Sequence, residues 1–286
     1  MNYALGAVLA AACATLRAML GKDLAAAAAG AAVAAAVTLW LTHCRRRRAG
    51  RAAAVEPVLC FGDSLTEGYS NIWQHPVFGP SHPDDPAQEM ARLRFHPYSI
   101  QLGARLAADA GEAGGGYAAA LRYACCRAYS GWTAEELLPR LCRALDEGPW
   151  RACVLLAGDN DIIMQGTSAA TAYRRVGALI DACDRAGVRC VVALNPDADL
   201  AHNGVVPAAE AEPRRQAIAG LAAALRERCE REGRPCVDLR AVLPLGREPA
   251  EQRRNAELWD DGLHFSPRGS DRVGDAVYEV MWKHGV

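Results

Sequence analysis

Phe61-Gly62-Asp63-Ser64-Leu65-Thr66-Glu67-Gly68 follows a short apolar run, Val55 to Phe61, that contains Glu56 and Pro57. An apolar strand stopping at Gly-Asp-Ser reads as a strand-to-loop turn that presents one hydroxyl at the end of a sheet. Loops at strand C-termini are where α/β folds put their chemistry, so such a turn is a common way to expose a nucleophile. The same residues also fit a turn that merely caps the next helix, with Asp63 or Ser64 as N-cap. The octapeptide alone leaves both readings open.

Outward from this turn the chain alternates between strand-like and helix-like segments. Val58–Phe61 is the first strand, Leu121–Tyr129 the second, Ala152–Ala157 the third, Val188–Leu194 the fourth and Cys236–Leu239 the fifth. Ala152–Ala157 is short and continuously apolar, as expected of a strand buried on both faces. Helical spacing marks Tyr98–Ala110, Ser168–Ala186, Pro213–Arg231 and Pro267–Trp282. Thr133 followed by Glu136 has the capping-box pattern ahead of a helix lined by Leu137, Leu138, Leu141 and Leu145. Residues 197–208 read as a loop. Residues 69–96, with four prolines, read as a long loop with room for a short helix; loops of that length are usually functional or mobile. Five strands with intervening helices predict one α/β domain, a three-layer α/β/α sandwich around a five-stranded parallel sheet.

Half of the 286 residues are apolar and under a quarter are charged, which excludes a disordered chain. Residues 1–55 carry seven basic side chains against one acid, so of the net charge of −1 the remainder holds −7. A mildly acidic body argues against nucleic-acid binding, which wants a basic face. The eleven cysteines are odd in number and irregularly spaced, with no C-x-x-C pair. That pattern argues against a disulfide framework or a zinc site and fits a reducing compartment. Cys60, Cys153, Cys190 and Cys236 lie in apolar runs, where a thiol behaves as a small core residue.

Leu24–Thr42 is an uncharged stretch of 19 residues ending near Trp40, and Arg45 to Arg48 follow directly. As a helix it would be roughly 28 Å long, close to a bilayer's hydrocarbon core. The expectation is a single-pass membrane anchor over about 24–42, with the Arg cluster keeping the rest of the chain on the cytoplasmic side. Residues 1–51 are then anchor and Arg-rich linker, and 52–286 the folded domain. An Ala/Arg-rich, acid-poor start also fits an organellar transit peptide, while a cleaved secretory signal fits worse, since no basic region precedes the first apolar run.

Three more segments fall at strand ends or before the last helix: Gly131 after the second strand, Gly158-Asp159-Asn160-Asp161 after the third, and Asp261-Gly262-Leu263-His264. In a doubly wound sheet neighbouring strand ends converge on one crevice, which could bring Ser64, Gly131 and Asn160 together. With Gly62-Asp63-Ser64-Leu65 these make four blocks, and the chain resembles the GDSL or SGNH hydrolase family, named for Ser, Gly, Asn and His. All four blocks stand in order over residues 58–286. The resemblance implies a flavodoxin-like topology and a serine esterase or lipase that hydrolyses carboxylic esters through an acyl-serine intermediate, without metal or organic cofactor.

A serine hydroxyl needs a base to take its proton, and His264 would be that base. Asp261, three residues earlier, can reach the imidazole and fix its tautomer. By resemblance the oxyanion donors are the backbone N–H groups of Ser64 and Gly131 and the side-chain amide of Asn160. Asp260 is a second candidate for the orienting carboxylate. His96 stays open as another histidine near the nucleophile turn. Asp63 and Asp161 read as structural, and Asp159 has no role. The substrate reads as a small-molecule or lipid ester; a bilayer alongside would favour a lipid or lysophospholipid. Ile72, Trp73, Val77 and Phe78 fit either an apolar lip for an acyl chain or a packed cover over the sheet. An acyltransferase using the same intermediate is the runner-up. The rival from another class is a catalytically silent, membrane-tethered binding module, against which the intact Ser, Gly, Asn and His set argues.

Overall fold

The computed structural model describes residues 55–71, 93–112, 121–246 and 251–286. Along the chain they form β1 (Val55–Gly62), α1 (Ser64–Glu67), β2 (Tyr69–Asn71), β3 (Leu93–Phe95), α2 (Ser99–Glu112) and β4 (Leu121–Ala128). Next come α3 (Ala134–Glu147), β5 (Ala152–Leu156), α4 (Asp159–Ile163), α5 (Ala169–Arg185), β6 (Arg189–Leu194) and α6 (Leu200–Asn203). The chain closes with α7 (Ala208–Glu232), β7 (Cys236–Asp238), α8 (Leu239–Val242), α9 (Gln252–Leu258) and α10 (Pro267–Lys283).

Five strands make a parallel sheet in the order β4-β1-β5-β6-β7. Counting only these five, the order is 2-1-3-4-5, the flavodoxin-like arrangement expected from the sequence. Alternation along β1 sorts the core into two layers. Leu59 and Phe61 point to one side, with Leu137, Leu141, Val176, Leu179, Ile218 and Leu221 from α3, α5 and α7. Val58 and Cys60 point to the other, with Leu102 and Leu106 of α2 and Val273, Val277 and Met281 of α10. Burying each such Val, Leu or Ile contributes about 1.5–3 kcal/mol relative to leaving it exposed. Cys60, Cys153 and Cys190 are buried as core residues, whereas Cys236 is only partly covered.

Three segments depart from the expectation. The helix predicted from Pro213 begins at Ala208, so Pro213 lies inside it. Ala208-Ala209-Glu210-Ala211-Glu212 are strong helix formers, and the backbone bond lost at Pro213 falls in an exposed turn. The loop at 197–208 contains α6, capped by Asp199, whose side chain accepts from the His202 N–H at 3.1 Å. The stretch at 69–96 begins and ends in a short antiparallel ladder, Tyr69↔Phe95 to Asn71↔Leu93. Ile72, Trp73, Val77 and Phe78 lie outside the described residues.

The membrane anchor at 24–42, with the domain facing the cytoplasm, does not stand. Among the described residues no helix is long and apolar enough to cross a membrane, and residues 24–42 lie outside them. Composition is the physical reason for the misreading. Ten of those 19 residues are alanine, which contributes little transfer free energy, so an uncharged stretch of the right length is not a strongly apolar one.

Candidate active site

Gly62 ends β1 between two neighbours. It is in register with Ala128 of β4 on one side and Leu156 of β5 on the other. A Cβ there would stand 2.0 Å from the Leu156 carbonyl oxygen, so only glycine lets the chain leave the sheet at this point. The turn then closes on Asp63. Its side chain accepts from the Leu65 N–H at 3.1 Å, and its carbonyl accepts from the Thr66 and Glu67 N–H groups. Asp63 is thus the N-cap of α1 and Ser64 its first residue, so the capping turn and the exposed hydroxyl are one structure.

His264 reaches this hydroxyl from a loop 200 residues away in sequence, with its Nε2 3.0 Å from Ser64 Oγ. The loop is wound around Asp261. Asp261 Oδ1 accepts from the backbone N–H groups of Leu263 (2.9 Å) and His264 (2.7 Å), and Oδ2 lies 2.8 Å from His264 Nδ1. Gly262 has φ +82°, a value that favours glycine, and its carbonyl accepts from the Asp199 N–H at 2.8 Å. Asp261 is buried, which alone would raise its pKa. The hydrogen bonds and charge of His264 and the Leu263 N–H outweigh that and hold the carboxyl below the usual range. Of the two adjacent acids, Asp261 is therefore the one bonded to the imidazole. Asp260 contributes its backbone N–H to the His264 carbonyl at 2.8 Å.

Gly131, in the turn after β4, and Asn160, in the segment after β5 that opens α4, flank the Ser64 turn. Gly131 has φ +78°, and a Cβ on it would meet nothing within 4 Å, so it is the backbone conformation rather than lack of room that favours glycine here. Asn160 follows Gly158, whose φ is +106°. Its Nδ2 donates to the Trp132 carbonyl at 3.1 Å. A carbonyl can only accept, so this bond fixes the orientation of the amide and leaves one Nδ2 proton for another acceptor. Asp161 ties the same two loops together, accepting from the Ala134 N–H at 2.7 Å and from Arg175 Nη1 at 2.9 Å. Ser130 donates to the Glu67 side chain, joining the Gly131 turn to α1.

His96 and Asp159 look different from their sequence reading, and Tyr69 is not singled out there. His96 Nε2 lies 2.7 Å from Asp271 Oδ1 on α10, a structural link between β3 and that helix. Tyr69, five residues after Ser64, packs its ring on the imidazole of His264 with centroids 4.8 Å apart. Only its nearness to Ser64 across the Gly68 turn could have marked it. Asp159 is 4% exposed, and among the described residues neither of its carboxylate oxygens makes a hydrogen bond of good geometry, although the Asn195 side chain stabilises its charge. Burial pushes its pKa up to about 6, against the pull of Asn195 and Arg240. Asp63 is raised well above the ordinary value by burial and by the charge of Asp159.

A family model for GDSL-like lipases and acylhydrolases matches residues 60–272. The chain belongs to that family. As a GDSL-like acylhydrolase it is a serine ester hydrolase. Its fold is similar to that of the lipase/acylhydrolase from Enterococcus faecalis, with a TM-score of 0.56 at 19% identity over 80% of this chain and 97% of that one. A GDSL-like lipase from Bacteroides thetaiotaomicron gives 0.51 at 17% identity over 84% and 97%. At these identities the likeness is one of fold. No curated protein matches the sequence.

Proposed function

We propose that the chain hydrolyses carboxylic esters through an acyl-serine intermediate formed on Ser64, with His264 as general base and acid and Asp261 as its orienting carboxylate. The observation that carries this reading is the unbroken chain Ser64 Oγ–His264–Asp261, at 3.0 and 2.8 Å. A carboxylate bonded to Nδ1 favours the tautomer with the proton there and the lone pair on Nε2, facing the hydroxyl. Nε2 takes the Ser64 proton as Oγ attacks the ester carbonyl, then returns it to the leaving alcohol. Water repeats the cycle on the acyl-serine and releases the acid.

The tetrahedral intermediates carry an oxyanion, for which the donors are the backbone N–H groups of Ser64 and Gly131 and the second amide proton of Asn160. Each preorganised donor of this kind is worth about 3 kcal/mol in the transition state. The placement of Gly131 supports this part of the assignment, because it is exposed and follows Ser130, which donates to Glu67 on the helix that begins with Ser64. Carboxylic esters are the substrate class. The preference for a lipid ester rested on an adjacent bilayer and loses its support with the anchor.

The test is turnover of p-nitrophenyl acetate, butyrate and octanoate by wild type and Ser64→Ala, with fluorophosphonate labelling alongside. Removing the nucleophile should lower kcat by roughly 10⁴-fold or more and abolish labelling. The chain-length series then separates acetate-like from lipid-like esters. A folded Ser64→Ala protein that turns over at the wild-type rate sinks the assignment.

A further inference from the structure

Both nitrogens of the His264 ring are engaged, Nδ1 by Asp261 and Nε2 by Ser64. The second of these bonds does not last through the proposed reaction. Once Ser64 Oγ is esterified it has no proton to donate, and the imidazole is left with Asp261 at one edge. It must nevertheless keep its place, because the same Nε2 has to take a proton from water in the step that frees the enzyme.

Among the described residues, Tyr69 makes an aromatic contact with the ring. The two pack obliquely, with centroids 4.8 Å apart and planes inclined at 55°. The placement of Tyr69 is determined from several sides. Gly68 turns the chain at φ +71°, and a Cβ there would come 2.2 Å from the His96 carbonyl carbon, so β2 and β3 close tightly only because residue 68 is glycine. The His96 N–H donates to the Gly68 carbonyl at 2.8 Å. Across the ladder, Phe95 packs edge-on to Tyr69 at 6.1 Å. The His96 side chain meets Asp271 of α10 at 2.7 Å, and α10 begins three residues after His264. Tyr69 and His264 are thus referred to the same helix by two separate routes.

We infer that Tyr69 is a positioning residue that holds the His264 imidazole against tipping during deacylation. The inference rests on His264 being the base. In the step concerned, the water oxygen bonds to the acyl carbon while a water proton passes to Nε2. The acyl carbon–Oγ bond then breaks, and Nε2 returns the proton to Oγ, regenerating the Ser64 hydroxyl. Acylation, during which the Ser64–Nε2 hydrogen bond still helps align the ring, depends less on Tyr69.

This asymmetry makes the inference testable with the full-length protein by stopped-flow measurement of p-nitrophenyl butyrate hydrolysis. Tyr69→Leu should lower steady-state kcat about tenfold, since small misplacements of a reacting group cost up to 10²-fold. The ratio kcat/KM, which reports acylation, should stay within about threefold of wild type, so KM falls with kcat. A burst of p-nitrophenolate should appear, and fluorophosphonate labelling should proceed at nearly the wild-type rate. Tyr69→Phe, which restores the ring, should recover most of kcat. Should Tyr69→Leu fail to give a wild-type thermal transition, Tyr69→Met fills the site without a ring and answers the same question. Unchanged kcat in the ring-less variant, a parallel loss of kcat and kcat/KM, or a loss in Tyr69→Phe as deep as in Tyr69→Leu would each overturn the inference. Ser64→Ala in the same assay isolates the underlying reading. If it retains turnover, the serine mechanism fails; if it is dead while Tyr69→Leu behaves as wild type, only the role of Tyr69 fails.

Discussion

Asn160 directs one amide proton to the Trp132 carbonyl, and that bond fixes where the other proton is aimed. Truncation to alanine removes both at once. Asn160→Ala should therefore lower kcat by about 10²–10³-fold with little change in KM, the behaviour of an interaction made mainly in the transition state. A kcat within threefold of wild type in a folded variant would show that the amide is not an oxyanion donor. At this scale much of the site is legible in the sequence. Ser64, Gly131 and Asn160 each follow an apolar strand closely, and Asp261 and His264 are three residues apart, so local spacing already carries their geometry. Tyr69 and Asp159 are not legible in this way. What matters about Tyr69 is the ring lying across it, 195 residues away in sequence. For Asp159 it is the apolar burial and the charges on other strand ends, and neither is written in the neighbouring letters.

Elements were readable where burial imposes a pattern. Strands β1, β5 and β6 are covered on both faces, so their near-continuous apolar runs announce them. The ladder of β2 and β3 has three residues on each side, too few for a period, and residues 72–92 separate its halves. α9 is seven residues long with two arginines and a glutamate, and shows no apolar stripe. The clearest helix start is at α3, where the Thr133 side chain accepts from the Glu136 N–H and Glu136 accepts from the Thr133 N–H at 2.9 Å. This reciprocal cap makes a prediction about the element alone. Thr133→Ala should lower unfolding free energy by about 1 kcal/mol, measured by urea denaturation with an unchanged slope. Esterase activity should stay within about twofold, because Asp161 still holds the Ala134 N–H and with it the start of the helix. A large loss of activity at unchanged stability would mean that the cap positions Gly131 directly.

For the whole molecule, the fold brings Asp63, Asp159 and Asp161 together at the C-terminal end of one sheet, under a site that also holds His264. Asp159 faces Asp63, Asp161, Asn195, Arg240 and His264, and burial dominates its balance. Its pKa is about 6 in the folded protein against 3.8 in the unfolded chain, so between these values the native state binds a proton that the unfolded chain has released. Stability associated with this group is therefore greatest at low pH, declines as pH rises through that window and is fully lost above it. The gap between the folded and unfolded values sets an upper bound of roughly 3 kcal/mol on the loss. Asp63, whose pKa is also raised, acts in the same sense. Asp261, held below the usual range, acts in the opposite one, with a contribution present above the ordinary carboxylate pKa and lost as pH falls further. Replacing Asp159 by its neutral isostere isolates the first contribution. Asp159→Asn should melt higher than wild type at pH 8, by several degrees; the difference should hold down to about pH 6, shrink between there and 3.8, and vanish below that, where Asp159 is neutral in both the folded and unfolded protein. Arg240 retains Asp197 as a partner at 3.4 Å, so the substitution leaves no isolated cation behind. A gap that is constant with pH would assign the effect to packing, and a variant less stable at pH 8 would mean that the ionised carboxylate is held by Arg240 more strongly than burial opposes it.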